Sequence, residues 1–310
     1  MNSLTLNSYA KLNLFLEVVN KRKDNYHNLR TLFERIDLSD KVILKPRRDG
    51  KIKIICKNYD VPKNSSNLCY RSAKLLQEIF NIDKGLDIRI IKRIPVGAGL
   101  GGGSSNAACV LIGLNRLWKL NISKKRLADI AGRIGCDVPF FIYDVAFAQA
   151  AGRGDEIKAL NLPERVHLWH VLAVPKLAVS TPFIYRKWDQ FSGLTMPRFD
   201  VKLLSPLEIM RQRDKVKLSL TGLTSALRKN DLSLINEFLF NGLEPLTVKY
   251  YPQVQSIKEK LNRLGLKTIL MSGSGPAVFG IVSSRKEAVT IARKVKEKDG
   301  SLHVFATRTI

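Results

Sequence analysis

The chain has 310 residues, 45% of them hydrophobic, and its 52 Lys and Arg against 27 Asp and Glu leave a formal net charge of +25. That is enough chain for one large or two ordinary domains, and no apolar run approaches the ~20 residues that span a bilayer, so a helical membrane span is excluded. Cys56, Cys69, Cys109 and Cys136 form no C-x-x-C pair and have no histidines at zinc spacing, which points to free buried thiols rather than a zinc or disulfide scaffold.

The N-terminal MNSLTLNSYAK has neither the basic segment nor the long apolar core of a signal peptide, so a cytoplasmic protein is expected. Leu12, Leu14, Leu16 and Val18 alternate with Asn13, Phe15 and Glu17, the period of a strand with two distinct faces. A charged loop, Lys21 to Asn25, and the pair Tyr26-His27 precede a second β segment over about 29–38. Asp49-Gly50, between VILKP and KIKIIC, reads as a hairpin turn. Ser65, Ser66 or Asn67 can cap a helix carrying Leu68, Ala73, Leu76, Ile79 and Phe80. LDIRIIKRI, from Leu86, alternates again until Pro95. Gly97, Gly99, Gly101, Gly102 and Gly103 follow, then Ser104 and Ser105, then an apolar helix from Asn106 to about Trp118.

Ser123 caps another helix, with Leu127, Ile130, Ala131 and Ile134 on one face and Gly135 at its end. In Cys136-Asp137-Val138-Pro139, Asp137 taken alone reads as a helix cap. Strands around 146–150 and 157–160 are joined by the turn Gly152-Arg153-Gly154-Asp155, and 168–174 is an apolar strand. His167 and His170, three apart in an extended run, point to opposite faces and make a poor metal pair. Ser180-Thr181-Pro182 opens a helix containing Tyr185, and the polar residues 190–215 read as a loose connection. A helix from Asp231 to about Asn241 closes at Gly242, and one carrying Val254, Ile257, Leu261 and Leu264 closes at Gly265. Strand 266–271, the loop Ser272-Gly273-Ser274-Gly275, strand 277–282, a helix with a capping box at Ser284 and Glu287, and a strand from Leu302 complete the chain. That order predicts an antiparallel α+β layer.

The basic residues are spread over every segment, with no compact arm and no nucleic-acid motif, so no nucleic-acid partner is expected. The charge reads as a basic solvated face that also attracts a small polyanionic substrate.

The glycine loop carries the chemistry. Backbone free of Cβ atoms can approach a ligand closely, and the unpaired first amides of the following helix carry partial positive charge, so the two together cradle phosphate. Ser104 or Ser105 is placed to cap that helix. Residues 97–102 satisfy G-x-G-x-x-G, but a dinucleotide site needs an acidic residue about 20 positions later, and Ser104 to Arg126 contains no Asp or Glu. A P-loop needs Lys after the glycines, and none follows.

At every position Pro95 to Ala107 resembles the P-x-G-x-G-L-G-G-G-S-S-x-A loop of the GHMP-type small-molecule kinases, and Ser8–Asn13 and Met271–Ala277 resemble two further motifs of that family in the same order. Ala10-Lys11-Leu12-Asn13-Leu14-Phe15-Leu16, Tyr26-His27 and Asp137-Val138-Pro139-Phe140-Phe141 resemble the branch that phosphorylates cytidine diphosphate methylerythritol, except that Asn25 stands where that branch has Gly. Asn tolerates a left-handed backbone better than most residues, so the turn should survive.

The resemblance implies a two-domain α+β kinase, 1–155 binding ATP and 156–310 completing it, with a boundary between Gly152 and Pro163 and the active site in the cleft between the halves. It implies ATP and Mg2+ as cofactors and the cytidylyl compound as the small-molecule partner; homoserine or mevalonate as acceptor is the alternative. The rival reading from another class, which the net charge of +25 leaves open, is a non-catalytic basic nucleic-acid-binding protein. By residue, the resemblance implies Asp137 as catalytic base with Lys11 beside it. Pro95, Gly97, Gly99, Leu100, Gly101, Gly102, Gly103, Ser104, Ser105 and Asn67 would bind ATP, with Ser104 or Ser105 near the metal. Asn13, Tyr26, His27, Thr181 and Tyr185 would bind the acceptor, Tyr26 and Tyr185 sandwiching the cytosine and His27 reading its edge. The late glycine loop would lie near the phosphates.

Overall fold

Two long strands, β1 (Leu4–Lys21) and β2 (His27–Arg47), run antiparallel and form the spine of the computed structural model, which describes residues 3–192 and 220–310. Both outrun the segments marked by alternation, because every residue of β1 from Ala10 to Val18 is buried. A strand covered on both faces loses the polar alternation that would mark its ends. Phe15, expected opposite Leu12 and Leu14, joins them in one apolar cluster. A register shift between Asn13 and Phe15 turns it over, as a bulge does.

β3 (Ile52–Cys56), α1 (Leu68–Phe80) and β4 (Gly85–Ile91) make a crossover unit in which β3 and β4 are parallel. The hairpin expected at Asp49-Gly50 does not form, since β4 returns between β3 and β2 and pairs with both. The turn itself is real, with Gly50 at φ +67°. Gln77 of α1 donates to the carbonyls of Gly50 and Lys84, and Gly85 lies so near Lys51 that a Cβ would stand 2.3 Å from its carbonyl oxygen. A returning crossover decides the pairing, and a local turn signal cannot see it.

α2 (Gly102–Leu117), α3 (Lys124–Gly132) and α4 (Val138–Tyr143) join α1 on one face of this sheet, packed on Val42, Leu44 and Ile88. The Ser123 hydroxyl caps α3 by accepting from the Arg126 amide. α3 ends at Gly132, before the expected Gly135, whose amide still bonds back to Ala131. β5 (Phe147–Ala151) and β6 (Glu156–Ala159) form the expected hairpin and extend the sheet from β2.

β7 (Trp169–Val174) leads to α5 (Thr181–Ser192), beyond which the connection expected over 190–215 lies outside the described residues from 193 on. Helical residues 220–229 (α6) precede α7 (Leu232–Phe238), capped by Asp231. The helix expected to reach Asn241 stops at Phe238. Phe240 and Asn241 instead form β8, parallel to Phe15 and Leu16, so the first sheet takes an edge strand from late in the chain. α8 (Glu244–Tyr250), which no pattern announced, and α9 (Gln253–Arg263) follow.

β9 (Ile269–Met271), β10 (Val278–Val282), α10 (Arg285–Lys298) and β11 (His303–Arg308) complete the second sheet, antiparallel as expected, in the order β11-β7-β10-β9. The Ser284 hydroxyl accepts from the Glu287 amide, while the Glu287 carboxylate reaches back to Ser283 rather than Ser284. The sheets stack, with Leu12, Leu14 and Ile36 meeting Leu172, Phe279 and Ile281. α9 and α10 cover the far side of the second sheet. Leu12 and Leu14 therefore face the sheet interface, leaving Lys11 and Asn13 to face the helices.

Candidate active site

A cleft of about 450 Å³ opens where the glycine loop, β1, α5 and the loop after β9 converge. That is the size of a small-molecule site. Gly97, Gly99 and Gly101 sit at φ +66°, +75° and +68°, the left-handed region that other residues adopt at a cost. Gly101 is the N-cap of α2 and offers no side chain, so the helix begins at Gly102, four residues before the expected start. Neither serine caps it. Ser104 faces the cleft, whereas Ser105 is buried and accepts a hydrogen bond from the Ser8 hydroxyl at 2.8 Å. The uncapped amides at the start of α2 are left for an anion.

Lys11 and Asn13 meet this loop from β1. The Lys11 amide donates to the Leu100 carbonyl at 3.0 Å. Lys11 Nζ donates to Asn13 Oδ1 at 2.5 Å and lies 3.7 Å from Asp137 Oδ2. Asp137 stands at the N-cap position of α4 but makes no capping hydrogen bond, which removes the helix-cap explanation of this residue. Burial pulls the Lys11 ammonium below its ordinary pKa, and the Asp137 charge and hydrogen bond oppose that shift. A carboxylate with no capping role thus stands beside a desolvated cation, next to the uncapped start of α2.

The late loop closes the third side. The Ser272 hydroxyl donates to the Gly99 carbonyl at 3.1 Å and accepts from the Asn13 amide at 3.3 Å. Asn241 holds the loop from below, donating to the carbonyls of Met271 and Gly273. Thr181 and Ser274 share a hydrogen bond at 2.7 Å, and both line the cleft, as do Pro95, Gly97, Gly99, Leu100, Gly102, Gly103, Asn67 and Tyr185. Asn67 is the cap chosen from the three candidates, its Oδ1 accepting from the Cys69 amide.

Two of the expected acceptor residues, His27 and Tyr26, lie outside the cleft lining. His27 is buried, bonds Asp189 Oδ1 through Nε2 at 2.7 Å, and stacks on Tyr185 with centroids 4.9 Å apart. Tyr26, half exposed, lines an adjoining hollow with Cys136, and the Arg153 guanidinium covers one face of its ring at 5.1 Å. Burial pushes the Tyr185 phenol up, with Asp137 adding to the shift, so it stays a neutral donor. Asn25 adopts φ +63° in the turn between Arg22 and Tyr26, the left-handed conformation anticipated for it.

Several residues of the site carried no sequence signal. Lys92 lines the cleft, paired with the buried Asp40, and Asn241 acts through the late loop. A buried polar residue such as Asn241 in β8 is too common to single out. Among the described residues, no three His, Cys, Asp or Glu side chains cluster in a way that could hold a metal, and no helix is long and apolar enough to cross a membrane.

Residues 67–145 match the GHMP kinases N terminal domain and residues 223–300 match the GHMP kinases C terminal domain. A 4-diphosphocytidyl-2-C-methyl-D-erythritol kinase of Geobacillus sp. (strain WCH70) is 41% identical over 281 residues, covering 90% of this chain and 88% of that one. A crystal structure of 4-(cytidine 5'-diphospho)-2C-methyl-D-erythritol kinase superposes with a TM-score of 0.74 at 29% identity, over 99% of this chain and all (100%) of that chain. Homoserine kinase from Cytophaga hutchinsonii shares the fold, with a TM-score of 0.71 at 19% identity over 100% of this chain and 95% of that chain.

Proposed function

The chain belongs to the 4-diphosphocytidyl-2-C-methyl-D-erythritol kinase family of GHMP kinases, and we propose that it transfers the γ-phosphoryl group of ATP to the 2-hydroxyl of 4-(cytidine 5'-diphospho)-2-C-methyl-D-erythritol. The observation that carries the mechanism is the Lys11–Asp137 pair beside the uncapped start of α2. ATP lies along Pro95 to Ser104 with its phosphates over the α2 amides, and Asn67 flanks the base. The acceptor alcohol sits against Asp137, which takes its proton as the new P–O bond forms and the bond to the β–γ bridging oxygen breaks, giving the phosphorylated product and ADP. General-base help of this kind is worth ~10²–10⁴-fold, with positioning and charge neutralisation supplying much of the rest. Lys11 offsets charge on the transferring group. Asn13 holds the Lys11 ammonium in place.

Magnesium leans on substrate phosphates rather than on an all-protein cage, so a site with few carboxylates fits it. Ser104, facing the cleft, is the hydroxyl placed to share it, and the hydroxyl of Ser105 is already engaged. When bound, the ion would neutralise the β- and γ-phosphates. The acceptor's methylerythritol end rests near Asn13 and Thr181, and its pyrimidine lies against Tyr185. The adjoining hollow, entered past Cys136 next to Asp137, leads toward Tyr26, which would close over the ring, while His27 braces Tyr185 and offers its edge. On this reading residues 1–155 form the nucleotide half and 156–310 the half that completes the acceptor side.

The test is a direct assay with ATP, Mg2+ and the cytidylyl compound beside homoserine, mevalonate and galactose. Turnover of the cytidylyl compound alone is expected. Turnover of one of the other three in its place would leave the kinase fold standing and remove this acceptor.

A further inference from the structure

Asp40, in the middle of β2, is fully buried and plays no part in the chemistry described above. Its carboxylate accepts from four donors. Oδ1 takes the amides of Arg93 at 2.7 Å and Ile94 at 2.9 Å, and Oδ2 takes Lys92 Nζ at 2.5 Å and Asn106 Nδ2 at 2.9 Å. Three of these donors lie where the chain leaves β4 to enter the glycine loop. The fourth lies early in α2, where the chain leaves it. Asn106 Nδ2 also donates to Ser8 Oγ at 2.7 Å, and Ser8 donates on to Ser105. The glycine loop therefore departs from and returns to one carboxylate.

We propose that Asp40 is a positioning residue for nucleotide binding, a clamp that fixes the separation of the two ends of the glycine loop and sets Lys92 at the cleft wall. A segment with five glycines has more backbone freedom than any other composition, and ordering it on binding would subtract from affinity. Clamping both ends in the free protein removes much of that loss. The clamp holds because releasing any donor strands part of a buried charge away from water. Lys92 neutralises the carboxylate, so the clamp adds little net negative charge beneath a site for phosphates. The inference rests on the glycine loop being the nucleotide site and is independent of which alcohol is phosphorylated.

The experiment is calorimetric binding of a non-hydrolysable ATP analogue to Asp40→Asn without acceptor, alongside the acceptor KM in steady state. Asn keeps the shape but presents an NH2 where one oxygen now accepts two donors, so half the clamp is lost. Analogue affinity is expected to fall about tenfold, with hydrogen exchange at 97–103 accelerated in the free protein and the acceptor KM within about twofold of the parent. A folded Asp40→Asn with unchanged nucleotide affinity, or with both constants worsened alike, overturns the proposal. If Asp40→Asn does not fold, Asn106→Ala decides, since it removes the exit arm alone. A loss of about threefold in analogue affinity with the acceptor KM unmoved supports the clamp, and an unchanged affinity overturns it.

Discussion

Gly99 is where the two glycine loops touch, and Gly99→Ala measures how tightly the cleft depends on that contact. An alanine Cβ there would stand 2.3 Å from the Ser272 carbonyl oxygen, with the Gly275 oxygen and nitrogen at 3.1 and 3.2 Å. All three are backbone atoms and cannot rotate aside. Restoring normal contact moves one loop by roughly 1 Å. The residue also sits at φ +75°, where alanine costs about 1–2 kcal/mol, so the melting temperature falls by several degrees while the fold persists. The functional loss is larger. Ser272 links Gly99 to Asn13, and the Lys11 amide is tied to Leu100, so the shift reaches the Lys11–Asp137 pair. A misplacement of about 1 Å in a reacting constellation costs on the order of 10²-fold in turnover. The assay is kcat by coupled ADP release beside thermal denaturation, with Gly132→Ala as control. Gly132 ends α3, and a Cβ there meets only the Pro139 Cγ at 3.9 Å. A folded Gly99→Ala that keeps kcat within about threefold of the parent would show that the two loops need not hold this spacing.

Asp137→Asn should lower kcat by ~10²–10⁴ while ATP binding and melting temperature stay near the parent's, because the side chain caps nothing; a comparable loss of stability would return it to a structural role. With the Lys11 pKa lowered from 10.5 mainly by burial, the folded chain releases that proton at lower pH than the unfolded chain. Turnover should therefore fall on the alkaline side at pH below 10.5. Stability should rise with pH between the lowered value and 10.5, where the unfolded state binds more protons. A Lys11→Arg variant, always charged, should lack the alkaline fall, and an identical pH–rate profile in both proteins would rule out Lys11 as its source. Tyr185→Ala removes a stacking face, worth ~1–3 kcal/mol on a base, so the acceptor KM should rise about ten- to hundredfold with the ATP constant little changed. An unmoved acceptor KM would take the pyrimidine elsewhere. Cys109, buried and pushed up to about 12, should alkylate slowly at pH 8, as followed by mass spectrometry, and rapid labelling of the folded chain would contradict its burial.

What the sequence determined by itself was local. Five glycines between a strand and an apolar helix dictate a backbone that other residues adopt only under strain, so the left-handed course of the loop was legible. So were the Ser123 cap, the hairpin at Gly152–Asp155 and the left-handed Asn25, each set by the chemistry of a few neighbouring residues, whereas the choice of Asn67 over Ser65 and Ser66 was not. The order of elements near the C-terminus gave the antiparallel second sheet. Only the tertiary structure decided which distant segments meet. It placed β4 between β2 and β3, where the Asp49-Gly50 turn promised a hairpin, and it drew Phe240-Asn241 out of a helical pattern into the edge of the first sheet. It brought Lys11 to Asp137 and freed that aspartate from capping, and it buried Ser105 while leaving Ser104 at the cleft. Asp40 shows the division most clearly: nothing near it in the chain calls for a carboxylate, and its four donors come from residues 92–94 and 106. Local conformation follows from the torsional preferences of adjacent residues, whereas pairing and buried charge satisfaction are settled by partners far away in the chain.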